Sequence, residues 1–316
     1  MAKIFCIANQ KGGVGKTTTT VNLAAGLAKV GQRVLMIDLD PQGNATMGSG
    51  VDKRQLELSV YDVLLESASV AEARIHSEKG GYDVLGANRE LAGAEVEMVA
   101  LDRREKRLRT ALAAVGAEYD FILIDCPPSL NLLTLNGLCA AHGVIVPMQC
   151  EYFALEGLTD LVNTIKQVHA NLNKNLQIVN LVRVMFDPRI TLQQQVSEQL
   201  KSHFGDKVFD TVIPRNVRLA EAPSYGLPGV VFDPSARGSQ AFVAFASELV
   251  EKMPPASMFA PLSTATAGRS AKTSKADKAG KDAVSGQGGD ADTDPAGGPA
   301  ATTAARKPAA STPESV

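Results

Sequence analysis

A glycine-rich loop that joins an apolar segment to a helix-forming segment constrains the fold of this chain more than any other feature. The loop consists of Lys11, Gly12, Gly13, Val14, Gly15, Lys16, Thr17 and Thr18. Residues 4–8 are apolar and partly β-branched, as in a buried parallel strand, and residues 18–30 carry apolar side chains at helical spacing. Glycines let several N–H groups point inward, and a helix N-terminus adds partial positive charge. The pattern therefore predicts a phosphate-binding site.

The polar side chains of this loop suit a nucleoside triphosphate with Mg²⁺. We expect Lys16 to reach the β- and γ-phosphates and the Thr17 hydroxyl to ligate the metal. The common pattern G-x-x-x-x-G-K-[ST] is incomplete, because Gln10 stands where its first glycine is expected. Two other interpretations are a glycine-rich turn that binds no ligand and a dinucleotide-binding oxidoreductase. The latter requires G-x-G-x-x-G, whereas a lysine against the phosphates suits a triphosphate better.

Two further apolar segments end in aspartates. Residues 34–37 lead into Asp38 and Asp40, and residues 121–124 lead into Asp125. Carboxylates at the C-terminal ends of parallel strands face the ligand crevice, where they bind Mg²⁺ or orient the attacking water of phosphoryl transfer. The alternative for each aspartate is an Asx turn or a cap on a helix or strand.

Strands alternate with helices along most of the chain. Besides the segments above, residues 143–148 and 177–185 are predicted strands, and residues 59–66, 155–168, 192–204 and 238–252 are predicted helices. Residues 90–115 are expected to form one helix, and residues 212–226 a loop because they contain many helix and strand breakers. This pattern predicts an α/β fold, a single P-loop NTPase domain with a mostly parallel central sheet and helices on both faces.

Composition limits the cellular location and the kinds of ligand and partner that we expect for the protein. The chain has no apolar run of about 18 residues and no signal-like start, so we expect a cytoplasmic protein without a membrane segment. The four cysteines lack metal-ligand spacing and are expected to be buried thiols. The net charge of −2 means that any nucleic-acid contact requires a local basic patch. Residues 253–316, rich in small and polar residues, are predicted to be a disordered tail.

Four strings in the chain resemble the ParA/Soj family of partitioning ATPases. They are the loop KGGVGKTT, which looks like the deviant phosphate loop of the ParA/MinD class, the segment DLDPQGN, the turn DCPP that begins at Asp125, and PRNVRLAEAPSYG, which begins at Pro214. The resemblance covers residues 1–252 and implies an ATPase that uses ATP and Mg²⁺.

The resemblance also implies roles for individual residues. Lys11, Lys16 and Asp40 would be catalytic, with Lys11 crossing a dimer interface and Asp40, supported by Asp38, positioning the hydrolytic water. The nucleotide would contact Lys11, Gly12, Gly13, Val14, Gly15, Lys16, Thr17, Thr18, Asp38 and Asp125, with Pro214 and Asn216 at the adenine. Thr17, Asp40 and Asp125 would lie at the metal.

The partners implied by the resemblance are a second copy of the chain, DNA and an activating protein. An ATP-dependent homodimer would bind nonspecific DNA and associate with the nucleoid, and hydrolysis stimulated by a ParB/Spo0J-type partner would release it. Candidate DNA contacts are Arg189, Arg215 and Arg218. Pro188, next to Arg189, departs from the family pattern, because relatives often lack this proline.

Rival interpretations share parts of these motifs. They are a MinD-like membrane-associated ATPase, an ATPase of the same fold that positions protein clusters, a catalytically silent nucleotide-gated scaffold and an electron carrier of the nitrogenase-reductase type. A MinD-like protein would need a basic amphipathic C-terminal helix, and none is evident in the sequence. An electron carrier would need cysteines in the setting of a shared cluster, which Cys126 and Cys139 lack.

Overall fold

The computed structural model describes residues 1–152, 154–176 and 178–253, and within these residues eight strands form one sheet. The strands are β1 (Lys3–Ile7), β2 (Val34–Asp38), β3 (Arg74–Ser77), β4 (Tyr82–Leu85), β5 (Phe121–Asp125), β6 (Gly143–Met148), β7 (Ile178–Phe186) and β8 (Val208–Pro214). Their order across the sheet is β3-β4-β2-β5-β1-β6-β7-β8. All neighbours pair in parallel except the edge pair β3 and β4.

Helices connect the strands and cover both faces of the sheet. They are α1 (Lys16–Lys29), α2 (Asn44–Gly48), α3 (Val60–Leu64), α4 (Val70–Ala73), α5 (Leu91–Glu97), α6 (Arg107–Leu112), α7 (Leu132–Ala140), α8 (Ala154–Asn171), α9 (Thr191–Phe204), α10 (Val217–Glu221), α11 (Gly229–Phe232) and α12 (Arg237–Lys252). One apolar core lies beneath α1 and α12, and a second lies beneath α5, α7, α8 and α9. The predicted fold class is confirmed.

The central strands end together, and this alignment positions the loops that follow them. On β5, Asp125 lies beside Ile7 of β1 on one side and beside Asp38 of β2 on the other. Because the three strands are parallel, the glycine-rich loop after β1 and the segments after β2 and β5 all leave the sheet at the same edge.

The prediction of one helix over residues 90–115 is wrong. Helix α5 is followed by a short 3₁₀ turn and a break, and Arg103 adopts a positive φ of 51° before α6 begins. The buried side chain of Asn136 on α7 stabilises this break. Its Oδ1 accepts a hydrogen bond from Leu108 N, and its Nδ2 donates one to Arg104 O. A tertiary contact therefore overrides the helical pattern of the sequence.

The prediction of a continuous loop over residues 212–226 is also wrong. Strand β8 extends to Pro214, which occupies a strand end at the sheet edge where its missing N–H costs little. Asn216 then starts helix α10, because its side chain accepts a hydrogen bond from Arg218 N. The edge strand β3 was not predicted, since its sequence RIHS carries little apolar signal.

The domain boundary predicted after residue 252 stays a prediction. All described residues belong to one unit, and α12 ends at Lys252. Residues 254–316 lie outside the described residues, so the predicted disorder of this tail remains a prediction. The four cysteines are buried free thiols, as predicted. In the described part of the chain, every helix is too short or too polar to cross a membrane.

His142 at the start of β6 provides a test of this packing. Its Nδ1 accepts a hydrogen bond from Ile4 N, and its own backbone N–H donates to Ile4 O. Burial, followed by the charge of Arg109, lowers the pKa of His142 to about 4. The unfolded chain takes up this proton near pH 6.5, so it binds more protons than the native chain between that pH and about 4. Acidification through this window should therefore lower the free energy of unfolding.

We expect this histidine to account for a loss of about 2 kcal/mol in unfolding free energy between pH 7 and pH 4.5. The variant His142→Asn offers an amide oxygen in place of Nδ1 and no titrating ring, so it should lose correspondingly less. Urea denaturation of both proteins at the two pH values measures the difference. An equal loss in both proteins would contradict the assignment.

Candidate functional site

The glycine-rich loop forms a turn that leaves the start of α1 open. Gly13 and Gly15 have positive φ angles of 72° and 80°, a conformation that favours glycine. No side chain caps α1, and its first turn contains no acidic residue, so the first N–H groups of the helix remain available to an anion. The Val14 side chain is buried beneath the loop, whereas Gly12 is exposed.

Lys16 is the buried cation of the site. Its side chain is largely buried, and its Nζ donates a long hydrogen bond of 3.4 Å to the Lys11 carbonyl oxygen. Burial lowers the pKa of Lys16, and the charges of Asp125 and Asp40 oppose this effect. A buried lysine without a strong anionic contact is suited to receive a phosphate.

Two threonines of α1 hold the carboxylate at the end of β5. Thr17 Oγ1 donates to Asp125 Oδ2 at 2.8 Å, and Thr20 Oγ1 donates to Asp125 Oδ1 at 2.8 Å. Asp125 and Thr20 are almost completely buried. The hydrogen bonds orient both carboxylate oxygens, and they connect the first turn of α1 directly to the middle of the sheet.

The carboxylate at the end of β2 organises the segment that follows it. Asp38 Oδ2 accepts hydrogen bonds from both Thr46 N and Thr46 Oγ1 at 2.8 Å, and Oδ1 accepts one from Asp40 N at 3.1 Å. Thr46 Oγ1 also accepts a bond from Ala87 N after β4. Asp40 is only partly buried and makes an Asx turn, in which its Oδ1 accepts a bond from Gln42 N.

The oxygen atoms at this edge suit a hard cation. Burial raises the pKa values of both Asp125 and Asp38, and the Asp38 charge raises that of Asp125 further. Among the described residues, neither of these two buried carboxylates forms an ion pair, and Thr17 places a hydroxyl oxygen beside Asp125. Within the described residues, three or more acidic, His or Cys side chains nowhere form a complete metal cage. Mg²⁺ usually binds through one or two carboxylates together with phosphates and water, and these residues fit that mode.

A cavity of about 320 Å³ opens beside the loop. Its lining includes Gly15 and Thr18 from the loop and the start of α1, together with Pro214 at the end of β8 and Asn216 just after it. Its remaining walls are mostly apolar and include Val184, Met185, Ile213, Val217, Leu219 and Phe242. The structure thus brings the predicted adenine residues and the predicted phosphate loop to one concave site, which is typical of a small-molecule pocket.

Lys11 contacts its own chain rather than the cavity. Its Nζ forms an ion pair with Glu151 Oε2 at 2.6 Å, and about half of each side chain is exposed. Two other hydrogen bonds connect the loop and the residues before it to the end of β6 and the segment that follows. Asn9 Nδ2 donates to Pro147 O at 2.8 Å, and Gln149 Nε2 donates to Gly13 O at 3.3 Å.

The three predicted DNA contacts lie in different environments. Arg189 is exposed but forms a bidentate pair with Asp187, and Arg218 pairs with Glu221 at 2.9 Å and Asp233 at 3.4 Å. Arg215 is exposed and lines the cavity beside Pro214. Arg215 is therefore positioned to affect the cavity ligand as well as any DNA.

Sequence reasoning missed several residues of this site. Thr20, Thr46 and Glu151 act only through contacts that bring distant segments together. Met185 was predicted only as the end of a strand, yet it adopts a positive φ of 52° and lines the cavity, and its Sδ accepts a hydrogen bond from Gln149 Nε2. The one local sequence feature that pointed to Thr20 was the run of four threonines at 17–20, because it places hydroxyls on more than one face of α1.

The phosphate loop, the paired carboxylates and the adjoining cavity define a P-loop NTPase. A family model described as an AAA domain matches residues 2–178. The sporulation initiation inhibitor protein Soj of Bacillus subtilis is 52% identical over 249 residues, which cover 79% of this chain and 98% of Soj. The chromosome partitioning protein ParA of Caulobacter vibrioides is 50% identical over 252 residues, covering 79% and 94%. The chain belongs to the ParA/Soj family.

Solved structures agree with this assignment of the fold. The crystal structure of cobyrinic acid a,c-diamide synthase from Mycobacterium smegmatis with bound ATP analog and magnesium has a TM-score of 0.69 and 36% identity, covering 79% of this chain and 95% of that one. The cell division ATPase MinD of Pyrococcus furiosus has a TM-score of 0.66 and 26% identity, covering 80% and 100%. The family that the sequence motifs suggested is thus confirmed.

Thr20 allows a direct test of the site. We expect Thr20→Val to weaken Mg²⁺-dependent ATP binding by about tenfold or more, because the loss of one hydrogen bond to a charged group costs about 1.5–3 kcal/mol and leaves Asp125 poorly oriented. Thr20→Ser keeps the hydroxyl and should bind ATP nearly as the original chain does. Titration with a fluorescent ATP analogue, with and without Mg²⁺, compares the variants. Equal affinities of the valine and serine variants would contradict the role of Thr20.

Proposed function

We propose that this protein is an ATPase that acts as a nucleotide-dependent switch in DNA partitioning. The observation that carries the proposal is the arrangement around Asp125. Its two oxygens accept hydrogen bonds from Thr17 and Thr20 of the helix that follows the phosphate loop. The names of the Soj and ParA relatives support partitioning as the process in which this switch acts.

In the proposed reaction, the open N-terminus of α1 and Lys16 hold the triphosphate, and Thr18 contacts it from the first turn of the helix. Thr17 and Asp125 would hold Mg²⁺, which neutralises charge on the β- and γ-phosphate oxygens. Asp40 orients the attacking water. Its carboxylate is positioned by the turn at residues 40–43, and its backbone N–H is fixed by Asp38.

We assign the cavity beside the loop to the nucleoside. Pro214 packs against the adenine, and the mostly apolar wall provides the surface that a purine ring requires. Asn216 Oδ1 is engaged by Arg218 N, which leaves the Asn216 amide group to donate to the base.

In the proposed dimer, Lys11 of each subunit meets the phosphates of the other and adds positive charge as the γ-phosphate leaves. The ion pair with Glu151 must open for this to happen. It is half exposed, and exposed ion pairs contribute about 0–1 kcal/mol, so a phosphate can readily replace the carboxylate.

The ATP-bound dimer would bind nonspecific DNA at the nucleoid through Arg189, Arg215 and Arg218, and a ParB/Spo0J-type partner would stimulate hydrolysis and release. Pairing two subunits doubles any basic patch and makes a weak affinity strongly dependent on the nucleotide and on salt. The alternative is a MinD-like membrane-associated ATPase, which the structural likeness to MinD favours. This alternative predicts ATP-dependent sedimentation with lipid vesicles instead.

Retention on DNA tests the proposed function. We expect the original chain to bind nonspecific DNA only with ATP and Mg²⁺, and Lys16→Ala to lose both ATP binding and DNA binding. Arg218→Glu should reduce DNA retention by about tenfold or more in low salt while leaving ATP affinity unchanged, because Arg218 does not line the cavity. Arg218→Lys, which keeps the charge, is the matched control. DNA binding that is equally strong with and without ATP would refute the proposed function.

Glu151 tests the proposed role of Lys11. We expect Glu151→Gln to lower the protein concentration needed for ATP-dependent dimerisation by up to about fivefold, since the variant removes an exposed competitor of the phosphates. Glu118→Gln is the control, because Glu118 pairs with Arg74 of the edge strand β3, which is separated from β1 by three strands of the sheet. Sedimentation velocity with ATP and Mg²⁺ measures the dimer. Unchanged or weaker dimerisation of Glu151→Gln would show that the ion pair does not compete.

A further inference from the structure

Strand β8 is irregular just before it reaches the nucleotide cavity. Leu181 of β7 pairs with Val208 of β8, and Phe186 pairs with Pro214. Between these two pairs β7 advances by five residues and β8 by six, with register shifts on both sides of Arg183. An extra residue in one strand is a β-bulge, which leaves backbone groups without ladder partners and changes the direction of the residues after it.

A buried guanidinium binds the carbonyl groups of residues 209–211, which are called the β8 bulge below. Arg183 Nη2 donates hydrogen bonds to Phe209 O and Asp210 O, both at 2.8 Å, and Nη1 donates to Ser197 Oγ on α9 at 2.8 Å. Arg183 is only 5% exposed, and no carboxylate of the described residues forms an ion pair with it. A buried charge is costly unless it is well hydrogen-bonded, and the planar fork of arginine suits two adjacent carbonyl oxygens.

A carboxylate on α12 binds the N–H groups of the same bulge. Glu248 Oε1 accepts a hydrogen bond from Asp210 N at 2.7 Å, and Oε2 accepts one from Thr211 N at 2.8 Å. Lys252, one turn further along α12, lies 3.0 Å from Glu248 Oε1 and balances its charge. Two charged side chains therefore hold the β8 bulge through charge-assisted hydrogen bonds, one on its carbonyl groups and one on its N–H groups.

The residues that follow the β8 bulge form part of the nucleotide cavity. Ile213 and Pro214 line it, as do Val184 and Met185, which follow Arg183 on β7. Met185, with its positive φ of 52°, lies within the second register shift. Successive side chains of a strand face opposite sides of the sheet, so a slip of one residue in β8 would reverse the faces of Ile213 and Pro214.

We propose that Arg183 and Glu248 are positioning residues for the nucleoside, because they hold the β8 bulge and thereby place Pro214 and Asn216. The inference rests on the proposed ATP site and deepens it, since neither Arg183 nor Glu248 lines the cavity itself. When the bulge is only partly populated, the apparent affinity for the nucleoside falls with the populated fraction. The phosphate loop and Lys16 belong to a different part of the sheet and keep their own affinity for a triphosphate.

Isothermal titration calorimetry of the full chain with ATP and with inorganic tripolyphosphate, each with Mg²⁺, tests this role. We expect Arg183→Met and Glu248→Gln to weaken ATP binding about tenfold, because each removes a charged partner of the bulge. Tripolyphosphate should bind both variants as it binds the original chain, since it contacts only the phosphate site. Arg183→Lys, which can still donate to the carbonyl groups, should recover part of the ATP affinity.

Two matched controls should bind ATP nearly as the original chain does. Ser197→Ala removes the contact of Arg183 with α9 but leaves its bonds to the β8 bulge, and Glu251→Gln removes an exposed charge from α12. Unchanged ATP affinity in Arg183→Met and Glu248→Gln would overturn the inference. Equal losses of ATP and tripolyphosphate binding would also overturn it, because they would show general damage to the fold. If the original chain bound neither ligand, the proposed ATPase itself would be refuted, and this inference with it.

Discussion

The fold and the site both depend on the hydrogen bonds from Thr17 and Thr20 to Asp125. A carboxylate buried beside Asp38 is unfavourable in itself, and the two hydroxyls compensate for part of that cost. In doing so they fix the start of α1 over the central strand β5. The position of the helix start determines where the loop N–H groups point, so the same two contacts determine the geometry of the proposed phosphate site.

The neighbouring strand β2 also ends in a buried carboxylate, Asp38, which is held by hydrogen bonds from the segment that we propose to position the attacking water. Asp38 is fully buried, and within the described part of the chain its carboxylate accepts hydrogen bonds only from the segment that follows it, at Asp40 and Thr46. Thr46 in turn receives the N–H of Ala87. Asp40 is therefore held between a buried strand end and an anchored helix start. Its carboxylate remains partly exposed, which leaves it free to act on a ligand.

Sequence reasoning succeeded where the determinants are local. The strand, loop and helix around Lys16 follow from residues adjacent in the chain, and the apolar runs that end in Asp38 and Asp125 are complete signals of central strands. It failed where a side chain that is distant in the sequence determines the local structure. The break before α6 depends on Asn136, and the ion pair of Lys11 depends on Glu151, which lies after another strand. The loop predicted for residues 212–226 was wrong because Pro214 and Asn216, which are typical of breaks in regular structure, instead end a strand and cap a helix.

The contacts of the loop differ in strength in a way that suits a switch. Thr17 and Thr20 bind a buried carboxylate, where the low dielectric strengthens hydrogen bonds and makes their loss costly. Lys11 binds an exposed carboxylate, where water and salt reduce the gain to about 1 kcal/mol or less. A change of partner at Lys11 therefore leaves the buried centre intact. In the proposed switch, the phosphate site stays ordered while only Lys11 exchanges one anion for another, which is the behaviour that the proposed nucleotide-dependent interface between subunits requires.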